Sequence, residues 1–350
     1  MTPFTTDDAL RRLLDDGRAR AATTDPGHAR LWAALTAATE GGKRFRPALV
    51  TAAHDALGGR RPEAAATVGA AVELLHTAFV IHDDVIDGDD LRRGRLNVSG
   101  TFRAQALAAG AGADDADALG RTAGILAGDL ALAATIRAVA TCGAPSEVVQ
   151  RLLDLFDAAL HTTAAGELAD VRLSLGVGTA SLPESLVMAE QKTGAYSFAL
   201  PLQAGALLAD ADEVTVRRLG EAGRVLGTGF QLLDDLLGVF GDPARTGKSA
   251  TSDLRARKQT PLLAHASGTP EWDRIRSYVG RELTGPELAE VRRLLTVSGS
   301  RRFVEELAEA QLASARAVVA QLGVPAGLLA AVSSQTADLA VLAGGDEAAA

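Results

Sequence analysis

A chain of 350 residues with 47% hydrophobic content carries enough apolar material to bury a sizeable core. Its 44 acidic and 35 basic residues give a net charge of -9, which leaves no overall positive field to gather a nucleic-acid backbone. Cys142 is the single cysteine, so an internal disulfide and a multi-cysteine metal site within one chain are excluded, and it reads as a buried bystander thiol.

The first twenty residues, MTPFTTDDALRRLLDDGRAR, spread charge throughout and hold no apolar core, so neither a secretory signal nor a membrane span is expected to begin there. Later apolar segments are broken by charge within about 18 residues, short of a spanning helix. The expected location is cytoplasmic, with no transmembrane segment.

From about residue 7 to about residue 340, amphipathic helical patterns follow one another with no convincing linker. Alanine and leucine dominate and β-branched alternation is scarce, which predicts an all-α protein. We read 1–350 as a single domain, with a frayed tail from about 342. Loops are expected at 58–62, 109–117, 175–183 and 241–253, and the last is long and basic enough to act as a lid.

The first charged element in chain order is GGKRFRP, with Lys43, Arg44 and Arg46 ahead of Pro47. Alone, such a run reads as a solvated patch. His76 follows in ELLHTAF, seven residues before Asp83 and on the same helical stripe. The sharpest signal is IHDDVIDGDDLRRG, in which Asp83, Asp84 and Asp87 precede Arg92 and Arg93.

On a helix Asp83 and Asp87 share a face, with Cβ atoms about 5–6 Å apart. Two carboxylates that close repel unless a cation lies between them, and hard oxygen donors favour Mg²⁺ held with several waters and substrate phosphate oxygens. The competing reading is a solvated acidic face. The apolar run AVELLHTAFV weighs against it, because it makes these acids emerge from a core helix. Asp114, Asp115 and Asp117 also cluster, but among Gly and Ala in an expected loop, and are read as surface. His82 beside Asp83 is not read as a metal dyad, since adjacent helical residues point about 100° apart.

Downstream, EQKTGAYSF supplies Lys192 and Thr193, and GTGFQLLDDLLG places Gln231 on the same helical face as Asp234 and Asp235. The position four after Asp234 is Gly238, so this helix offers one carboxylate fewer than the first. Lys248, Asp253 and Lys258 follow in a Gly-containing segment suited to bringing ammonium groups onto phosphate oxygens. Two acidic helices with several separate basic groups describe a pocket for two anionic, phosphate-bearing substrates.

In this order, GGKRFRP, ELLHTAFVIHDDVID, RRG at 92–94, GD at 128–129, KTG at 192–194, FQLLDD at 230–235, and GK with the later Asp253 and Lys258 resemble the trans-isoprenyl diphosphate synthase (polyprenyl synthetase) family over roughly 30–330. The resemblance implies an all-α domain with helices around a central cavity, usually a homodimer, that condenses isopentenyl diphosphate head-to-tail with an allylic diphosphate. It implies that Asp83, Asp87 and Asp234 hold Mg²⁺, three ions with substrate bound, against the allylic diphosphate, with Asp84, Asp235 and Gln231 in support. Arg92, Lys192, Lys248 and Lys258 would grip that diphosphate, with Thr193 as a further donor. Lys43, Arg46, His76 and Arg93 would bind isopentenyl diphosphate, with Gly42 shaping the approach of the loop. Two departures stand out: Gly238 where many members carry a third aspartate, and Glu167 in GELAD where a glutamine is common.

In the family, bulk one turn before the first aspartate stops elongation early. Phe79 and Ala78 lie four and five residues before Asp83, and an aromatic beside a small residue gives the expectation of geranylgeranyl diphosphate, C20, with farnesyl and C25 or longer products still open. Ala78→Phe is expected to shorten the product. A class I terpene cyclase would share the fold and the first motif but would not need the basic isopentenyl diphosphate site. A non-catalytic partner subunit would not need both acidic motifs.

Overall fold

The structure is a computed structural model that describes residues 4–176, 180–241 and 252–329. Most of the described residues are helical, and the strands among them are the two-residue β1, Leu91–Arg92, and β2, Arg95–Leu96. The chain divides into two compact units, one of 1–156 with 204–211 and one of 157–203 with 212–350.

The first unit opens with α1, Thr6–Ala22, and α2, Pro26–Ala38. Thr5 and Asp8 close a reciprocal capping box on α1, and Asp25 caps α2 just ahead of Pro26, whose missing N–H costs nothing at a helix start. Gly17 leaves room for the Trp32 ring, whose indole donates to the Leu14 carbonyl at 2.8 Å. After α3, Phe45–Ala56, comes α4, Pro62–Asp87, which is buried along most of its length and ends where Gly88 turns left-handed at φ 70°. Two further helices, α5, Val98–Ala108, and α6, Ala113–Ala140, pack on each other, and α6 packs on α4. Leu74, Ala78 and Ile81 of α4 meet Phe102 of α5 and Ala123, Ala127 and Ala131 of α6 in one core cluster. Small residues on α6 let the backbones approach closely.

The second unit takes most of α7, Ser146–Ser174, then α8, Leu182–Ala189, a π-helical segment, Glu190–Ala199, and the start of α9, Leu200–Leu208. Its central element is α10, Glu213–Phe240, capped by Asp212. Gly223 and Gly227 of α10 sit against Ala199 and Gly194, so the π-helical segment lies almost backbone to backbone on α10. Short helices α11, Ser252–Arg255, α12, Pro261–Ala266, and α13, Trp272–Ile275, lead to α14, Gly285–Val297, and to α15, Ser300–Gln321, which packs along α10.

Two expectations change. The acids at 114–117 are not in a loop, because α6 begins at Ala113 and places Asp114 and Asp115 in its first turn, where carboxylates suit the exposed N–H groups. Asp117 and Asp90 both bind Arg103, the latter at 2.8 Å, which makes this cluster a surface tie between α5 and α6. By length and composition alone, α4 and α6 each contain an 18-residue window apolar enough to cross a membrane. The window in α4 is 78% buried within the protein, as a core helix is, whereas that in α6 is 44% buried. Cys142 is buried as expected, and burial pushes its thiol pKa up. Most of the expected 241–253 lid, Lys248 included, and the tail lie outside the described residues.

Candidate active site

The end of α4 and the hairpin behind it carry the acidic and basic groups of the first unit. Asp84 is buried, Asp83 is partly buried and Asp87 is exposed, so the helix presents the i and i+4 acids outward and tucks the middle one in. Arg92, on β1, donates from Nε to Asp84 Oδ1 at 2.9 Å and from Nη2 to Asp83 Oδ2 at 3.3 Å, with a second bond to Asp84. Burial pushes the Asp84 pKa up to about 6, and Arg92 restrains the rise. The guanidinium thus offsets part of the charge of the adjacent pair and fixes its orientation.

The next residue serves the other side. Arg93 and Gly94 have φ of 54° and 72°, the two left-handed residues of a tight two-residue hairpin turn. From there Arg93 Nη1 donates to the Glu40 carbonyl at 3.1 Å, and its guanidinium lies against Gly41 and Gly42, both left-handed at φ 77° and 85°. A Cβ at Gly42 would come within 3.1 Å of Arg93 Nη2, so glycine there lets loop and guanidinium meet. Arg44, also left-handed at φ 50°, starts α3, and its Nη1 lies 3.5 Å from the buried carboxylate of Glu73.

His76 completes this group. Its own burial and then the charges of Arg46, Arg93 and Arg92 hold its pKa well below the ordinary value, so at neutral pH it is an uncharged hydrogen-bonding group among arginines. Arg46 rests on the Phe45 ring at 4.5 Å, and Lys43 is exposed at the loop. Gly42, Arg46, His76 and Arg93 therefore lie near one another, with Arg92, expected on the allylic diphosphate, close enough for its charge to act on His76 as well. His82 lies apart from this chemistry: Gly128 makes room for its ring, and Nε2 is 3.6 Å from Asp129, so the GD pair accommodates a histidine.

The second unit holds its own group of candidate residues. Lys192 and Thr193 sit in the π-helical segment, a geometry frequent at functional sites. Lys192 Nζ is 2.7 Å from Asp170 and 3.0 Å from Glu167, so the unusual glutamate shares the lysine with a second carboxylate. Thr193 Oγ1 donates to Gln231 Oε1 at 2.8 Å, and Gln231 Nε2 donates to Asp235 Oδ1 at 2.8 Å. Asp235 is buried, and its pKa is raised well above the ordinary value by burial and then by Asp253, with Gln231 opposing. Asp234 is half-buried beside it. Lys258 Nζ lies 3.9 Å from Asp253 Oδ1.

The sequence reading did not foresee Asp170 as a partner of Lys192. It also did not foresee Asp253 as a neighbour of Asp235, or Glu73 as the acid among the arginines. GELAD contained the first in plain view, whereas the other two depend on chain crossings.

Ala78 and Phe79 are not equivalent. Ala78 is fully buried in the core cluster shared with α5 and α6, and Phe79 is partly accessible. An Ala78→Phe change therefore meets packed side chains of α5 and α6.

Among the described residues, no three of His, Cys, Asp and Glu are grouped tightly enough to hold a metal unaided. The donor chemistry nonetheless fits magnesium: the acids at the ends of α4 and α10 offer hard oxygens only, and waters and phosphate oxygens would complete the shell.

The sequence pattern of polyprenyl synthetases matches residues 28–294. A geranylgeranyl diphosphate synthase of Sulfolobus acidocaldarius is 35% identical over 64% of this chain, and that match spans 63% of the Sulfolobus protein, just under two thirds. A (2E,6E)-farnesyl diphosphate synthase of Mycobacterium bovis is 33% identical over 81% of this chain and 75% of its own length. Among solved structures, a geranylgeranyl pyrophosphate synthase from Corynebacterium glutamicum, crystallised with isoprenyl diphosphate and magnesium, superposes with a TM-score of 0.85 at 30% identity. It covers 97% of this chain and 96% of its own.

Proposed function

The chain belongs to the polyprenyl synthetase family, and on that premise we propose that it is a prenyltransferase that adds isopentenyl diphosphate head-to-tail to an allylic diphosphate. The observation that carries this reading is the Arg92–Arg93 hairpin. One guanidinium grips the Asp83–Asp84 pair while the next sits in the cluster of Gly42, Arg46 and His76. A metal-held anion and a directly held anion can thus lie side by side.

In this reading Asp83, Asp87 and Asp234 hold magnesium, three ions with both substrates bound, and Asp84 and Asp235 support them. When bound, magnesium stabilises the charge that gathers on pyrophosphate as it leaves. Lys192, Lys248, Lys258 and Arg92 hold the allylic diphosphate, with Thr193 and Gln231 orienting the second acidic pair. Lys43, Arg46, His76 and Arg93 hold isopentenyl diphosphate with its double bond toward the allylic carbon. Apolar walls exclude water while the allylic cation exists, and the double bond then attacks it. Released pyrophosphate takes the proton lost at the end.

We assign the product as geranylgeranyl diphosphate, supported by Phe79 beside Ala78 and by the Sulfolobus and Corynebacterium relatives. The Mycobacterium relative favours farnesyl diphosphate as the second reading. We read 1–350 as one synthase domain, working in the cytoplasm as a homodimer. Leu119, Ile125, Leu126 and Ile136 are exposed on α6 and supply an apolar face for a second copy.

The test is to incubate the purified protein with Mg²⁺, isopentenyl diphosphate and each allylic diphosphate in turn, and to size the products. A C20 product is expected. No consumption of isopentenyl diphosphate with any primer would refute the proposal.

A further inference from the structure

The acidic pair on α10 repeats the adjacent pair on α4, but where α4 has Asp87 at the i+4 position, α10 has Gly238. That place is not open space. A Cβ on Gly238 would collide with Oδ2 of Asp253 and come within 3.0 Å of its Cγ. Asp253 opens α11, well beyond the end of α10, and its side chain is 18% exposed. Its charge acts on Asp235, and Lys258 lies 3.9 Å away on its other oxygen.

Glycine inside a helix is unfavourable by propensity, and α10 runs as ordinary helix through 238, so no left-handed turn demands it. What the position does require is room. Alanine would already push the carboxylate away, and an aspartate at 238 would add like charge to the collision.

We propose that Gly238 is a positioning residue: the gap it leaves in α10 seats the Asp253 carboxylate beside Asp235, so that α11 returns the third acid that α10 lacks. The inference rests on the reading of Asp234 as a magnesium ligand. Asp253 then orients that ligand and its waters, a supporting role whose loss typically weakens metal affinity about 10- to 100-fold.

The test uses the full chain with Mn²⁺ as probe, titrated in the presence of inorganic pyrophosphate and counted by electron paramagnetic resonance. Gly238→Ala and Asp253→Asn are each expected to weaken the most sensitive Mn²⁺ site about tenfold. The exchange pair Gly238→Asp with Asp253→Gly is expected to recover affinity to within about threefold of the starting protein. Wild-type Mn²⁺ affinity in Asp253→Asn would overturn the inference, as would an exchange pair no better than Gly238→Ala. A glycine needed only for packing would lower the melting temperature without moving Mn²⁺ affinity, and that result also overturns it. If Gly238→Ala does not fold, Asp253→Asn decides alone, since it keeps the shape and removes the charge. Wild-type protein that binds no Mn²⁺ with pyrophosphate would instead refute the metal assignment itself, and the inference with it.

Discussion

Two long helices, α4 and α10, each carry an adjacent aspartate pair near their C-terminal ends, yet the pairs are balanced by opposite means. On α4 a guanidinium from the following hairpin bonds both carboxylates. On α10 the buried Asp235 is held by a neutral amide, Gln231, with Asp234 and Asp253 adding negative charge around it. Burial raises the pKa of both buried acids, and the restraint differs: Arg92 holds Asp84 to about 6, whereas Asp235, whose rise is opposed by Gln231 and the charge of Lys258, stays well above its ordinary value.

The largest expected effect breaks or confirms the role of α4. Asp83→Ala is expected to lower kcat/KM for condensation by about 1,000-fold or more with the helical circular dichroism unchanged. Near-normal product formation would remove α4 from the metal-holding machinery. A paired experiment then separates the two clamps. Arg92→Lys breaks a forked, charged contact and is expected to cost about 10- to 100-fold in kcat/KM, because bonds to charged groups are worth ~1.5–3 kcal/mol. Gln231→Leu breaks bonds made by an uncharged amide and is expected to cost about threefold to tenfold. Equal losses from the two would erase the distinction.

Packing gives the next effect. Ala78→Phe is expected to destabilise the chain by about 1–3 kcal/mol in urea unfolding, since Ala123, Ala127 and Ala131 of α6 share its core cluster. A shortened product at wild-type stability would show that the side chain finds open space.

Acidity supplies a fourth test. The raised pKa of Asp235 means that its proton is bound more tightly in the folded chain than in the unfolded one. Its contribution to stability is therefore present below about pH 4 and is lost as pH rises toward the folded value. Asparagine does not titrate. Asp235→Asn is expected to raise the melting temperature by about 2–4 °C at pH 8 and to leave it unchanged near pH 4. A gap that does not widen with pH would mean that the carboxylate is already balanced.

The smallest effect concerns the clamp on Lys192. Replacing Glu167 with glutamine removes one of two carboxylates competing with substrate for the ammonium, and is expected to lower KM for the allylic diphosphate by up to about fivefold. An unchanged or higher KM would assign Glu167 to folding instead.

The helices and the residues of the site were legible in the sequence because each depends on local spacing. Apolar residues at helical intervals located α4 and α10, and the i and i+4 relation placed Asp83 and Asp87 on one face. The partnerships were less legible, because they depend on chain crossings. Asp253 reaches Gly238 from another helix, and Arg92 was expected to hold substrate before it was seen to hold Asp83 and Asp84. The π-helical turn under Lys192 has no spacing signature of its own, since it adds a residue to each turn without changing which residue types can occupy it. The acids at 114–117 misled for a related reason: helix starts and loops favour the same small and acidic residues.

The left-handed corner at Arg93 and Gly94 permits an unusual separation of shape from charge. Glycine at 93 would relax the backbone and keep the hairpin while deleting the guanidinium, whereas lysine would keep a positive group and inherit the steric penalty of a Cβ at φ 54°. One corner thus offers two opposite controls, a well-formed turn without its cation and a cation on a less comfortable turn.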